Sequence, residues 1–350
     1  MEEYKRLTLG EAIHVIAQKR VMIVCHVNPD GDAIGSAYGL LRLVELTGGS
    51  GRVICPSEIP ERLRFLCDGD STAYESGMEN DFDIIVAVDT ASASQLGELS
   101  HLAREVALSI DHHENCTMFA DNLWYPDAAA AGVIVYDLAI ESALRGYVTG
   151  NLSPVLRRVF AAIASDTGSF KFANTNESAF STAAGICGYL AENDDGGDFP
   201  VDRMSVSDIS SALFDGITKK ETVARRIANK NLRYICGGKI AVTTVNTGEM
   251  TEHELELRDL GGMVDQVRGI EGTVCGVVIK ADPEKPGTFR GSARSNVDFD
   301  VAAIAEKFGG GGHKRAAGFT ITARSTDEAV EEFARVADAA LAEYNSTSQK

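Results

Sequence analysis

Five aspartates and three histidines stand where they could act together on a bound metal. Asp30, Asp32, Asp89 and Asp111 close apolar runs, and His26, His112 and His113 lie in the same short segments. Asp166 follows the apolar stretch 159–164. One such aspartate is an ordinary helix N-cap. Eight ionisable groups converging on one edge would carry a large electrostatic cost without cations to pair with. Asp30 and Asp32, two apart around Gly31, can point to one side and hold neighbouring ions. Carboxylates and imidazoles without thiolate suit Mn²⁺, with Mg²⁺ or Co²⁺ as substitutes, better than structural zinc. Two ions about 3.5–4 Å apart would activate a water and offset charge in an in-line displacement at phosphorus. Spacing alone leaves two readings open, a metallohydrolase and a nucleotide-binding site without chemistry.

These residues need a scaffold that brings chain segments far apart in sequence to one edge. Apolar runs at 21–25, 52–55, 83–88 and 106–110 alternate with helical patterns, one opening at Thr8 with Glu11 three residues later and one covering 33–46. Near-continuous apolar strands separated by helices predict an α/β domain whose parallel sheet carries helices on both faces. In such sheets ligand sites form at the carboxyl ends of the strands, where the aspartates fall. A polar stretch from Glu192 to Pro200 reads as a linker, which gives domains over 1–191 and 216–350 with a connection over 192–215. The second domain reads as smaller and α+β. It has a basic helical segment from Lys219 to Arg233, strands at 239–245, 273–279 and 288–292, a helix at 301–308 and a final helix from Thr326 to about Tyr344.

Composition limits the substrate. The 350 residues suit two domains, and 33 basic against 51 acidic side chains leave a net charge of −18. Such a surface repels a long phosphate backbone, so a phosphate-bearing substrate is expected to be short, with no long duplex bound. Seven widely spaced cysteines without a C-x-x-C pair argue against a disulfide framework or a structural zinc site. With no apolar window of about 20 residues and a charged start, the expectation is a cytoplasmic protein without membrane contact.

His26-Val-Asn-Pro-Asp30-Gly-Asp32, Val88-Asp89-Thr90, Asp111-His112-His113 and Ser165-Asp166-Thr167-Gly168 resemble the four motifs of the DHH phosphoesterase superfamily. Gly291-Ser-Ala-Arg294-Ser295 and Gly309-Gly-Gly-Gly-His313 through Phe319 resemble its C-terminal DHH-associated domain of the first type. The branch most similar is that of nanoRNases and pAp phosphatases, which degrade very short oligonucleotides and 3′-phosphoadenosine 5′-phosphate. The resemblance implies that His26, Asp30 and Asp89 hold one Mn²⁺, with Asp89 bridging to a second held by Asp32, His112 and Asp166. It implies that Asp111 orients a neighbour, that His113 faces the phosphate as donor or proton shuttle, and that a two-metal-activated hydroxide attacks phosphorus. Hydrolysis of c-di-AMP or pApA is the near alternative. A RecJ-type exonuclease on long single strands is the less favoured one, and a replication scaffold the non-enzymatic one. The resemblance allows a homodimer. One departure stands out: where many relatives start a helix with Ser/Thr-rich residues, this chain has Ala128-Ala-Ala-Ala131-Gly132.

Four glycines alone are compatible with a flexible turn or a helix C-cap. Beside His313 and Arg294 they read as a phosphate cradle, with backbone N–H groups of Gly310, Gly311 and Gly312 approaching the ligand. Arg294 could grip a terminal phosphate bidentately and Ser295 add a hydroxyl donor. The second domain is then expected to measure the far end of a short substrate while the first cuts it. Trp124, Tyr125, Phe170 and Phe172 read first as packing residues, with base stacking as the lesser reading.

Overall fold

A computed structural model describes residues 4–69, 73–193 and 196–347, apart from the side chains of His313 and Thr347. The chain divides into two compact units, 1–216 and 217–350.

The first unit runs α1 (Leu9–Ile16), β1 (Arg20–Val24), α2 (Gly31–Leu46), β2 (Ser50–Ile54), β3 (Ile84–Val88), β4 (Val106–Asp111), β5 (Asn122–Trp124), α3 (Ala131–Leu144), α4 (Ser153–Asp166), α5 (Glu177–Asn193) and α6 (Val206–Phe214). Its strands form one parallel sheet in the order β2-β1-β3-β4-β5. The continuous apolar runs are explained by burial on both faces. Along β1, Val21 and Ile23 join the core built with α1 to α5, while Met22 and Val24 join a second core on the opposite face. That second face is covered by 3₁₀ turns over Ala93–Glu105, which contribute Leu96, Leu99 and Leu102. Thr8 opens α1 with a reciprocal cap to Glu11.

α2 and α4 cross at the centre of this unit. Gly35 permits the crossing, since a Cβ there would lie 2.6 Å from the Arg158 carbonyl oxygen. Arg158, on α4, is wholly buried. It donates to Asp202 at 2.5 Å, to the Leu66 carbonyl at 3.2 Å and to Asp68, so one guanidinium ties three chain segments together. Its partners show why the 192–215 connection is not an extended linker. Pro200–Arg203 forms a 3₁₀ turn and α6 follows, and Val201, Ile209 and Leu213 bury their side chains in the first unit's core. Asp194 and Asp195 of that stretch lie outside the described residues.

The second unit runs α7 (Lys219–Lys230), β6 (Arg233–Ile235), β7 (Ile240–Val245), α8 (Thr247–Glu252), α9 (Met263–Arg268), β8 (Cys275–Ala281), β9 (Thr288–Ser295), α10 (Val301–Glu306), β10 (Gly311–His313), β11 (Ala316–Thr322) and α11 (Thr326–Thr347). The strands form a mixed sheet in the order β10-β11-β9-β8-β7-β6, antiparallel except for β7 with β8. α10 and α11 cover one face, where Phe289, Ala293, Phe319 and Ile321 pack against Ile304 and Phe333. Ala224 of α7 and Val264 of α9 pack on β7 and β8 at the other face. No helix among the described residues is long and apolar enough to cross a membrane.

Candidate metal centre and phosphate face

The strand order of the first sheet reverses between β1 and β3, so the crossovers leave a crevice beyond the carboxyl ends of these two strands. His26 and Asp30 follow β1 there, Asp89 follows β3, Asp111 ends β4 and His112 and His113 follow it. Asp32 lies in the first turn of α2 and Asp166 ends α4. Ligand atoms of His26, Asp30 and Asp89 all fall within 4.8 Å of one another, as do those of Asp32, His112 and Asp166, and those of Asp89, His112 and His113. The two Asp89 oxygens face opposite groups. Oδ2 is 3.4 Å from His26 Nε2, and Oδ1 is 3.6 Å from both His112 Nε2 and His113 Nδ1. His112 Nε2 is also 3.5 Å from Asp32 Oδ2 and 3.8 Å from Asp166 Oδ2.

Neighbouring groups fix which ring nitrogens are free. His26 Nδ1 lies 2.8 Å from the Val27 carbonyl oxygen and His112 Nδ1 lies 3.1 Å from that of Ala128. Donation there leaves each Nε2 facing the carboxylates, where its lone pair could serve a cation held between them. His113 Nδ1 sits 2.8 Å from Asp111 Oδ1, and Asp111 is wholly buried. Trp124 donates from Nε1 to the His113 carbonyl at 2.8 Å, which gives this ring a packing role behind the site.

The electrostatics fit cations. Burial, then the charge of Asp89, raises the Asp30 and Asp32 carboxyls, and burial pushes Asp166 up to about 6. Burial also works against ionised Asp89, but the adjoining His26, His112 and His113 outweigh it and hold its carboxyl below the usual range. For His26 burial is outweighed by Asp89, and the imidazole rises to about 9. His113 reaches about 9 through its hydrogen bond to Asp111. Asp89 Oδ1 is buried and accepts no hydrogen bond from the described residues. An ionised oxygen in that position is costly unless a cation faces it. With carboxylate and imidazole donors and no thiolate, the two groups sharing Asp89 suit a pair of hard divalent ions.

Sequence reasoning missed the supports. Asp32 accepts from Ser36 Oγ at 2.8 Å, from the Ala131 N–H at 2.7 Å and from the Gly132 N–H at 3.0 Å. It therefore caps α3 from another helix, since Ala130 at the N-cap position supplies no side-chain acceptor. This accounts for the alanine-rich start that departs from the family pattern. Asn174 donates from Nδ2 to Asp166 Oδ2 at 3.0 Å and to the Ala129 carbonyl at 3.0 Å, holding the carboxylate against the same helix start. Nothing in the local sequence marks Asn174.

In the second unit, residues on β9 and β11 alternate between the α10–α11 core and an open face. Arg290, Ser292 and Arg294 on β9 share that face with Thr320, Gly318 and Ala316 on β11 and with Gly311 on β10. Arg290, Gly311, Gly318 and Thr320 are exposed, and Ser292, Arg294 and Ala316 half-buried. Arg294 Nη1 donates to the Ala293 carbonyl at 3.1 Å, and among the described residues no carboxylate lies within ion-pair distance of it.

Two members of the expected cradle have other work. The Gly310 N–H is donated to the Ala305 carbonyl at 3.0 Å, where it helps close α10. A Cβ at Gly310 would lie 2.1 Å from the Gly318 oxygen, so the glycine serves this close strand approach. The buried Ser295 hydroxyl lies 2.7 Å from the Val297 carbonyl and accepts from the Val297 N–H, so it is not a free phosphate donor. Gly311 and Gly312 lie in the edge strand β10, and the His313 side chain lies outside the described residues.

Residues 20–163 match the DHH family, N-terminal domain, and residues 237–343 match the DHHA1 domain. A Thermus thermophilus protein named bifunctional oligoribonuclease and PAP phosphatase NrnA is 29% identical over 334 residues, covering 94% of this chain and 92% of that protein. The Bacillus subtilis protein of the same name is 25% identical over 310 residues, covering 87% and 89%. The fold is shared with the crystal structure of an exopolyphosphatase-related protein from Bacteroides fragilis, at 20% identity and a TM-score of 0.81 over 98% of this chain and 97% of that one. With both domain matches in sequence order, and with the motif aspartates and histidines gathered at one sheet edge, the chain carries a DHH family N-terminal domain followed by a DHHA1 domain.

Proposed function

We propose that this chain is a metal-dependent phosphoesterase that hydrolyses short oligoribonucleotides and 3′-phosphoadenosine 5′-phosphate, with Mn²⁺ as its working ion. The observation that carries the reading is Asp89, whose two oxygens face two separate ligand groups and whose buried Oδ1 has no hydrogen-bond partner among the described residues. His26, Asp30 and Asp89 would hold one ion, and Asp32, His112 and Asp166, with Asp89 alongside, would hold the other. Bound there, two divalent ions supply Lewis-acid charge for the phosphoryl oxygens and an activated water for in-line attack.

The chain's own residues do the rest. Asp111 accepts from His113 Nδ1 and so fixes that ring, which leaves Nε2 to donate to a phosphate oxygen or to pass a proton to the leaving oxygen. The carbonyls of Val27 and Ala128 hold the His26 and His112 rings with Nε2 toward the centre. Arg294, half-buried and without an ion-pair carboxylate among the described residues, supplies a planar fork for a substrate phosphate. The net charge of −18 favours substrates small enough to be held by such local cations.

A turnover panel tests this with Mn²⁺, Mg²⁺ and Co²⁺, comparing pAp, pApA, c-di-AMP, an RNA dinucleotide and a 20-mer. Fast turnover of pAp and the dinucleotide with Mn²⁺, and a nearly inert 20-mer, is the expected result. Processive digestion of the 20-mer would instead identify a long-strand exonuclease. A protein that retains no divalent ion and turns over nothing would be a scaffold.

A further inference from the structure

On the sheet face that carries Arg294, Lys280 of β8 sits directly opposite Arg290 of β9, beside Val278 and Val245 at the part that α7 and α9 cover. Like charges facing each other across antiparallel strands destabilise a sheet. Asp282 pairs with Arg290 at 2.9 Å, but among the described residues no carboxylate lies within ion-pair distance of Lys280. The lysine is half-buried, and burial followed by the charges of Arg290 and Arg294 weakens its hold on its proton. Ser292 and Gly318, a small pair facing each other in register, lie on the face between this end and Arg294. Arg290 and Arg294 are four residues apart on one strand, so their anchors are about 13 Å apart at about 3.3 Å per residue. One phosphate cannot reach both ends.

We propose that Lys280 and Arg290 form a second phosphate subsite, so that this sheet face holds two phosphates of a short oligonucleotide, one at Arg294 and one at the Lys280–Arg290 end. The inference rests on the short-oligonucleotide reading above. It adds the class of ligand this face prefers: a strand with at least one internucleotide phosphate beyond the one that Arg294 grips. The small residues between the two ends leave room for the intervening nucleoside, and the Lys280–Arg290 repulsion is relieved when an anion lies between them.

Metal-free full-length protein is titrated with a labelled 5′-phosphorylated RNA trinucleotide and, in competition, with 5′-AMP, which has a single phosphate, over a range of salt concentrations. Lys280→Met keeps the aliphatic stem and removes the charge; Lys280→Arg keeps the charge; Arg294→Ala serves as reference. Lys280→Met is expected to weaken trinucleotide binding about tenfold or more, and by several-fold more than AMP binding. Its plot of log Kd against log salt should be shallower by about 0.7, the value of one single-strand phosphate contact. Lys280→Arg should restore both, and thermal unfolding of Lys280→Met should match the parent. If Arg294→Ala weakens binding while Lys280→Met leaves the trinucleotide and the salt slope unchanged, the second subsite is overturned and the first reading stands. If neither variant changes either ligand, the sheet face binds no phosphate and both readings fall.

Discussion

Replacing Asp89 with asparagine removes the one carboxylate that reaches both ligand groups. Its Oδ2 lies 3.4 Å from His26 Nε2 and its Oδ1 lies 3.6 Å from His112 Nε2, so the loss touches both candidate ion positions. Asparagine is the informative substitute because Asp89 has φ of 53°, a left-handed conformation that Asn tolerates and Ala adopts only with strain. Without the bridge, His26 and Asp30 are two ligands alone, while Asp32, His112 and Asp166 remain three. The His26–Asp30 position is therefore expected to empty first and the bound-metal count to fall from two to one. A single lost Lewis acid withdraws several kcal/mol of transition-state stabilisation; at about 1.4 kcal/mol per tenfold, kcat/KM for pAp should fall by at least about a thousandfold. Metal content by mass spectrometry and turnover on the same sample check both. Two ions retained with turnover within tenfold of the parent would refute the shared-bridge arrangement.

Four further outcomes are expected. Arg294→Ala should weaken pAp binding by about 1.5–3 kcal/mol if a charged hydrogen bond to phosphate is lost; an unchanged KM removes Arg294 from the site. In the metal-free centre His26 rises to about 9, so its protonated form competes with metal. Mn²⁺ affinity should therefore increase from pH 6.5 to 9 with measurable proton release, and calorimetry in buffers of different ionisation enthalpy tests it, a flat profile counting against the ligand set. The raised values of His26 and His113 mean that the histidines' contribution to metal-free stability is complete below about pH 6.5 and drains as pH passes through 9, so Tm should drop over that window. Arg158→Met leaves Asp202 buried without its ion-pair partner and Asp68 with Arg42 alone, and should destabilise the first unit by about 3–5 kcal/mol, read by chemical denaturation.

The gathering of these aspartates and histidines at one sheet edge was legible in the sequence because each aspartate is punctuated by its own apolar run. A parallel strand buried on both faces leaves its first polar residue at the carboxyl edge, and that edge is where the sheet order opens a crevice. The same logic fails where charge is buried. Arg157 and Arg158 interrupt an otherwise apolar helix and look like a solvated pair, yet both are wholly buried. The stretch after Asn193 reads as polar because Val201, Ile209 and Leu213 are its buried apolar residues, with Phe199, Met204 and Val206 packing partly, and their spacing sets no clear period. In the second unit β11 escaped notice because Gly318 sits mid-strand and a glycine run precedes it. Its alternation is nonetheless plain in space, with Ala317, Phe319 and Ile321 buried. Extending β9 to Ser295 would have placed Arg290 and Arg294 on one face by their even spacing.

Asp32 shows why a motif can hold while the residues around it drift. Its carboxylate faces His112 and also receives the first two N–H groups of α3, so one side chain serves the metal group and caps a helix whose own sequence offers no cap. A Ser or Thr at the start of α3 would satisfy the same N–H groups locally. In this chain the alanines delegate that task to Asp32, and Gly132 keeps α3 close to α4, where a Cβ would lie 2.7 Å from the Ala162 side chain. The three helices that meet here are α2, which carries Asp32, α3, which it caps, and α4, which ends in Asp166. Asn174 closes the loop from Asp166 back to the carbonyl of Ala129. The helix start that departs from the family pattern is therefore held by the ligands themselves, and its placement depends on the carboxylates that face His112.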